Sequence, residues 1–117
     1  MIDYSKPTTQ LLGRFQPWHE GHTELFLRAL ERTGQVVILL RENDGDIQNN
    51  PYSTGERMDM IKKALYPYAN SYTILPVPNI THITYGRDVG YTIEEEVLPE
   101  NIQEISATKK REEMREC

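Results

Sequence analysis

His19-Glu20-Gly21-His22 carries two imidazoles three positions apart, a spacing that can put both on one face of a first helical turn. Imidazoles donate to phosphate oxygens and can stabilise charge that develops on a pentavalent phosphorus. The same pair would also suit a metal, or be two surface residues without a task. The metal alternative lacks an obvious third ligand, because His82 is the only other histidine. Gly21 removes a side chain that would block a phosphate. Gly13, just upstream, lets backbone come close to a ligand. Open backbone N–H groups and the positive end of a helix dipole would favour an anion at this point. Phe15 and Trp18, in the loop between, read as packing residues.

A second segment, Ile105-Ser106-Ala107-Thr108-Lys109-Lys110-Arg111, offers a hydroxyl pair at a helix start, with Arg111 about one turn on. Alone, Ser106 is an N-cap and the Lys-Arg-Glu helix a solvated face. Paired with the histidine segment, Ser106, Thr108 and Arg111 form a second phosphate clamp, the arginine with its fork of donors. Two clamps fit a triphosphate better than a monophosphate. Arg41, at the end of an apolar run, is placed to meet a phosphate on an acceptor, or is a surface charge. Arg57 could reach the same cleft, or pair with Glu56 or Asp59 on its own helix. Arg87, bracketed by Gly86 and Gly90, either lies over the base or ribose of a nucleotide or forms a tight turn with Asp88.

These residues need elements to hold them. Thr8 to Leu12 is a short apolar run between Pro7 and Gly13 and reads as a first strand. Gly21 to Thr33 has Leu25, Phe26, Ala29 and Leu30 at helical spacing, with Gly34 as a stop signal. Val36 to Leu40 is a continuous apolar run, expected of a strand buried on both faces. A polar loop, Arg41 to Pro51, precedes Ser53 and Glu56, which have capping-box spacing. The helix they open carries Met58, Ile61, Ala64 and Leu65 and stops near Pro67. Tyr72 to Leu75 is a third strand ended by Pro76 and Pro78. Ile80 to Tyr85 reads as a short fourth strand, Val89 to Leu98 as a short helix, Ile102 to Ile105 as a fifth strand, and Ser106 opens a last helix. The alternation implies an α/β fold: a Rossmann-like parallel sheet with helices on both faces, in a single compact domain. In such a sheet the ligand sits beyond the carboxyl ends of the strands, where the loops after Gly13 and Arg41 lie.

The chain has 117 residues, 38% hydrophobic and 26% charged, with a formal charge of -5. That suits one soluble globular domain and argues against nonspecific nucleic-acid binding, which needs a basic surface. The one cysteine, Cys117, excludes a disulfide within the chain and fits a reducing compartment. No run is long and apolar enough to span a membrane, and the first residues lack a signal-peptide core, so a cytoplasmic location is expected.

Gly13 to His22 and Ile105 to Arg111 resemble the two signature motifs of the HxGH nucleotidyltransferase superfamily, the cytidylyltransferase-like fold, which would make residues 1–117 one nucleotidyltransferase domain. Gly-Arg-Phe-Gln-Pro-Trp-His-Glu-Gly-His looks most like the nicotinamide mononucleotide adenylyltransferase version of the first motif, and Asn50 to Arg57 is similar to a segment of that group. The compact length is closer to glycerol-3-phosphate cytidylyltransferase, although cytidylyltransferases usually carry Thr-Phe-Asp where Arg14-Phe15-Gln16 stands. The resemblance implies that His19 and His22 hold the triphosphate and act at its α-phosphate, aided by the backbone of Gly13, Arg14 and Phe15. It implies that Ser106, Thr108 and Arg111 hold the β- and γ-phosphates. It also implies in-line attack by an acceptor phosphate, release of pyrophosphate and accompanying Mg²⁺. Chain size leans the expectation to transfer of CMP to a phosphorylated small molecule. Motif wording keeps AMP transfer to a mononucleotide, such as nicotinamide mononucleotide, as the alternative. A noncatalytic nucleotide-binding regulatory module is the second alternative. Dimerisation, common in the family, is compatible with so small a domain.

Overall fold

Among the described residues three parallel strands form a sheet, in the order β1-β2-β3, with β1 at Thr9–Gly13, β2 at Val36–Arg41 and β3 at Tyr72–Val77. The computed structural model describes residues 1–42, 45, 48, 50–87 and 90–95. Register runs from Thr9 opposite Val36 to Gly13 opposite Leu40, and from Val36 opposite Tyr72 to Arg41 opposite Val77. All three strands therefore end together, at Gly13, Arg41 and Val77, and their following loops share one edge.

Helix α1, Glu20–Thr33, links β1 to β2 and stops at Gly34, whose φ of 79° is left-handed and whose N–H donates to the Leu30 carbonyl at 2.7 Å. Only a residue without a Cβ takes that conformation at little cost. Helix α2, Thr54–Ala64, opens on the expected box: Glu56 N–H donates to Ser53 Oγ, and Ser53 N–H to Glu56 Oε1. A 3₁₀ turn at Tyr66–Ser71 then leads into β3.

Both helices pack on the face of the sheet that carries Leu11, Ile38, Leu40 and Ile74, and the core there gathers Phe26, Ala29, Val36, Ile61 and Leu65. Two right-handed crossovers that step the same way along a sheet must share a face. The opposite face carries Leu12, Leu39 and Leu75 in register; the first two are half-buried and Leu75 is exposed. Helices are expected on both faces of the sheet, and those among the described residues lie on one. Residues 91–95 have no regular structure, and 96–117 lie outside the described residues.

Two expectations need correction. Pro76 does not end β3 but sits inside it, opposite Leu40. Among the described residues β3 is an edge strand, where a missing N–H can face away from the ladder. Ile80 to Tyr85 is not a strand: it has no regular structure and is exposed from Thr81 on, with Ile83 68% and Tyr85 56% accessible. Residue types that favour a strand make none without a paired, half-covered surface to fit. No helix among the described residues is long and apolar enough to cross a membrane.

Candidate active site

Where β1 ends, the chain makes a tight loop and enters α1 through its histidines. His19 is the N-cap, in extended conformation, and its Nδ1 accepts the Gly21 N–H at 3.0 Å. His22 returns the contact: its Nδ1 accepts the His19 N–H at 3.1 Å. The pair is a capping box in which imidazoles take both places usually filled by hydroxyl and carboxylate. A ring nitrogen that accepts cannot carry the proton, so each neutral imidazole keeps its N–H at Nε2. The rings stack at 3.8 Å and 22°, which aligns the two as one unit.

His22 is held in an apolar nest. Its ring meets Phe15 edge-on at 4.9 Å and lies 5.3 Å from Trp18, whose Nε1 donates to Thr23 Oγ1 at 2.8 Å. Burial, with a smaller contribution from His19, lowers the His22 pKa from 6.5 to about 3. At neutral pH His22 is therefore a neutral donor, not a cation. The expectation of open backbone N–H groups is corrected at two positions. Gly21, which is buried, gives its N–H to His19 Nδ1, and His22 gives its N–H to the His19 carbonyl at 3.0 Å.

Gly13 and Phe15 also differ from expectation. A Cβ on Gly13 would lie 2.9 Å from Phe15 Cε1 and Cζ, so the glycine makes room for that ring rather than for a ligand. Phe15 itself has φ of 52°, a conformation that costs a bulky residue about 1–3 kcal/mol. The buried ring, packed on Gly13, Trp18 and His22, holds it there. Arg14, next to it, is exposed, and its Nη1 donates to Asn50 Oδ1 at 3.1 Å.

Arg57, expected to reach the acceptor cleft, is turned into the protein instead. It is 1% exposed, and its Nη1 donates to the carbonyls of both Arg14 and Arg41, each at 2.9 Å. Nε donates to the Ser53 carbonyl and Nη2 to Thr54 Oγ1, each at 3.3 Å, with the Glu42 carboxylate 3.5 Å away. Burial draws its pKa down and Glu42 pulls it back up. Arg41 directs Nη1 to the Ile80 carbonyl at 3.1 Å, which turns it toward the chain after β3, and its buried Nε has no hydrogen-bond partner among the described residues. Arg87 is exposed and makes no hydrogen bond or ion pair with any described residue. Ser106, Thr108 and Arg111 lie outside the described residues.

Two buried polar residues were not anticipated as part of the site. Gln16, 2% exposed, pairs its amide with the backbone of Tyr52: Nε2 donates to the Tyr52 carbonyl and Oε1 accepts the Tyr52 N–H, both at 3.0 Å. Asn50, 4% exposed, orients Arg14. Only an amide can donate and accept at once in this way, which is the one sequence signal Gln16 carried. Among the described residues no three His, Cys, Asp or Glu side chains come together to hold a metal ion, so these residues build no metal cage. A cavity of about 450 Å³ lies away from the histidines, lined by residues of α2, β3 and the turn between them, including Met58, Lys62 and Tyr72, and holds none of the sequence-predicted site residues.

A family model described as cytidylyltransferase-like matches residues 11–110. The nicotinamide-nucleotide adenylyltransferase of Methanococcus vannielii is 34% identical over 71 residues, 60% of this chain and 41% of that protein. The enzyme of the same name from Saccharolobus solfataricus is 35% identical over 72 residues, 58% of this chain and 42% of that protein. The chain thus spans about two fifths of the length of these curated relatives. Among solved structures, a bifunctional NMN adenylyltransferase/ADP ribose pyrophosphatase from Francisella tularensis superposes with a TM-score of 0.55 at 29% identity, over 62% of this chain and 22% of that one. The same protein complexed with AMP and a manganese ion gives a TM-score of 0.56, over 62% of this chain and 23% of that one.

Proposed function

The chain belongs to the cytidylyltransferase-like family, and from that premise we propose that it transfers an adenylyl group from ATP to a mononucleotide such as nicotinamide mononucleotide, releasing pyrophosphate. The observation that carries the proposal is the self-capped histidine pair at the end of β1. The names of the relatives favour adenylyl over cytidylyl transfer.

An oxygen of the acceptor's phosphate attacks the α-phosphorus of ATP. A new P–O bond forms, the bond to the bridging oxygen toward the β-phosphorus breaks, and pyrophosphate leaves with that electron pair. No proton must be removed from an ionised phosphate nucleophile, so no general base is needed. His19 and His22 donate Nε2–H bonds to the α-phosphoryl oxygens and to the developing charge, already oriented before substrate arrives. Neutral His22 serves this role throughout the physiological range. Arg14 adds a guanidinium to the same phosphates, and Ser106, Thr108 and Arg111 hold the β- and γ-phosphates. Mg²⁺ would enter as part of the metal–triphosphate substrate.

The test is calorimetric titration with ATP and with CTP, each with Mg²⁺, followed by pyrophosphate release with nicotinamide mononucleotide. ATP binding and release with that acceptor are expected. Preference for CTP would turn the assignment to cytidylyl transfer. Binding without release on any phosphorylated acceptor would favour a regulatory module, and failure to bind either triphosphate would sink the proposal.

A further inference from the structure

Arg57 and Gln16 are buried polar side chains that the transfer reaction does not touch, yet both lie at the reacting end of the sheet. Burying a guanidinium is costly unless its donors are filled. Here they are filled by the backbones of the loops that carry the site. One Nη1 spans the carbonyl of Arg14, after β1, and that of Arg41, at the end of β2. Nε takes the carbonyl of Ser53, ahead of α2. Gln16 closes the ring from the other side by its two bonds to Tyr52, one residue before Ser53. Three separate stretches of chain are thereby tied at one point, and two of them hold Arg14 and its partner Asn50.

We propose that Arg57, together with Gln16, is a positioning bracket for the triphosphate site: it acts through the backbone of Arg14 and Tyr52, fixing the histidine loop against the ends of β2 and α2. The bracket rests on the function proposed above for its catalytic consequence, but not for its structural one. The chemistry of the group supports a positioning role. A planar fork can meet two carbonyls from one nitrogen, a third from Nε and a carboxylate from Nη2, whereas an ammonium is a single point. Lysine would keep the buried charge and lose the span. The apolar core, by contrast, closes on Phe26, Val36, Ile38, Leu40, Ile61 and Leu65 without help from either residue.

The experiment compares the full chain with Arg57→Lys and Gln16→Glu by amide hydrogen exchange, by ATP titration followed on the fluorescence of Trp18, the single tryptophan, and by pyrophosphate release. Exchange should rise about tenfold or more at Phe15, Gln16 and Tyr52, while residues 25–30 within α1 stay at the wild-type rate. ATP affinity and turnover should each fall by about tenfold or more in the folded variant, because small misplacements of positioning groups cost rate steeply. Exchange that rises evenly over the molecule, with affinity and turnover unchanged, would show a general stabiliser and overturn the proposal. So would wild-type exchange at both loops. If Arg57→Lys does not fold, Gln16→Glu decides in the same assays. If the wild-type chain binds no triphosphate, the transfer function falls, and the exchange comparison still decides whether the bracket holds the loops.

Discussion

Each end of the sheet has a buried glutamine, and the two are used differently. At the amino ends of the strands Gln35 gathers the first residues of the chain. Its Nε2 donates to the Asp3 carbonyl at 2.7 Å and Thr8 Oγ1 at 2.7 Å, and its Oε1 accepts the Asp3 N–H at 2.9 Å. Thr9 and Thr33 close that end with a hydroxyl pair at 2.7 Å. At the carboxyl ends Gln16 and Arg57 also spend their hydrogen bonds on backbone. There, however, the backbone is only the frame. It holds the loop that carries His19, His22 and Arg14, the residues assigned to the triphosphate in the proposed function. One end is a knot and the other a mount.

The sharpest way to break that contrast is to remove a donor and keep its frame. His22→Asn retains a side-chain oxygen where Nδ1 accepts the His19 N–H, but has no Nε2–H. Turnover should fall by about 10²–10³, as when one preorganised donor to a developing oxyanion is lost, in a chain that still melts cooperatively though at a lower temperature. His19→Asn should behave alike, because asparagine is a good N-cap. Pyrophosphate release and a thermal melt measure both effects. Turnover within twofold of wild type would remove the histidines from the chemistry.

Stability against pH sharpens the same point. The folded chain holds His22 neutral down to about 3, while the unfolded chain protonates it near 6.5. Between those values the unfolded state binds the extra proton. Stability from this group is fully present above about 6.5 and is lost as pH falls, by up to about 1.4 kcal/mol per pH unit. Asp3 and Glu56, whose pKa values are lowered chiefly by hydrogen bonds from Ser5 and Ser53, add losses of the same sign at lower pH. Urea midpoints of wild type and His22→Asn at pH 7, 5.5 and 4.5 separate the contributions. The variant should show the shallower decline.

How legible each end was depended on sequence distance. The histidine pair, Gly34 and the Ser53–Glu56 box all bond within a few residues, so spacing alone revealed them. Gln16 reaches a partner 36 residues away and Arg57 one 43 away. No local pattern encodes such contacts. Arg57 reads as a cation that reaches the acceptor cleft or pairs with Glu56 or Asp59, and only tertiary structure shows the carbonyls of Arg14 and Arg41 around it. Phe15 reads as packing, but nothing in a bulky residue foretells its left-handed backbone. The space its ring fills, left by the missing Cβ of Gly13, lies two residues upstream, at a glycine whose position suggests room for a ligand. Ile80 to Tyr85 failed in the opposite direction: its composition suits a strand, and the described fold gives it no partner.

Gly13→Ala tests the mount at its root. The new Cβ would overlap the Phe15 ring, which Trp18 and His22 prevent from yielding. Overpacking of this kind costs about 1–3 kcal/mol, and the displaced loop should also weaken ATP binding. A melt and a titration should move together. Full affinity with a lowered melting point would mean that the loop tolerates the shift.

The smallest effect is expected at the knot. Gln35→Ala removes the donor to the carbonyls of Asp3 and Lys6, but both residues are exposed and water can replace the lost bonds. The cost should be near 1 kcal/mol, the net worth of a hydrogen bond whose partner can be re-solvated, or a melting point lower by roughly 4–8 °C. ATP affinity and turnover should remain at wild-type values, because the strands carry no polar contact from Gln35 to Gly13 and their register is set by the ladder. If Gln35→Ala weakened ATP binding as strongly as Arg57→Lys, the two ends would be one cooperative unit, and positioning would belong to the sheet as a whole.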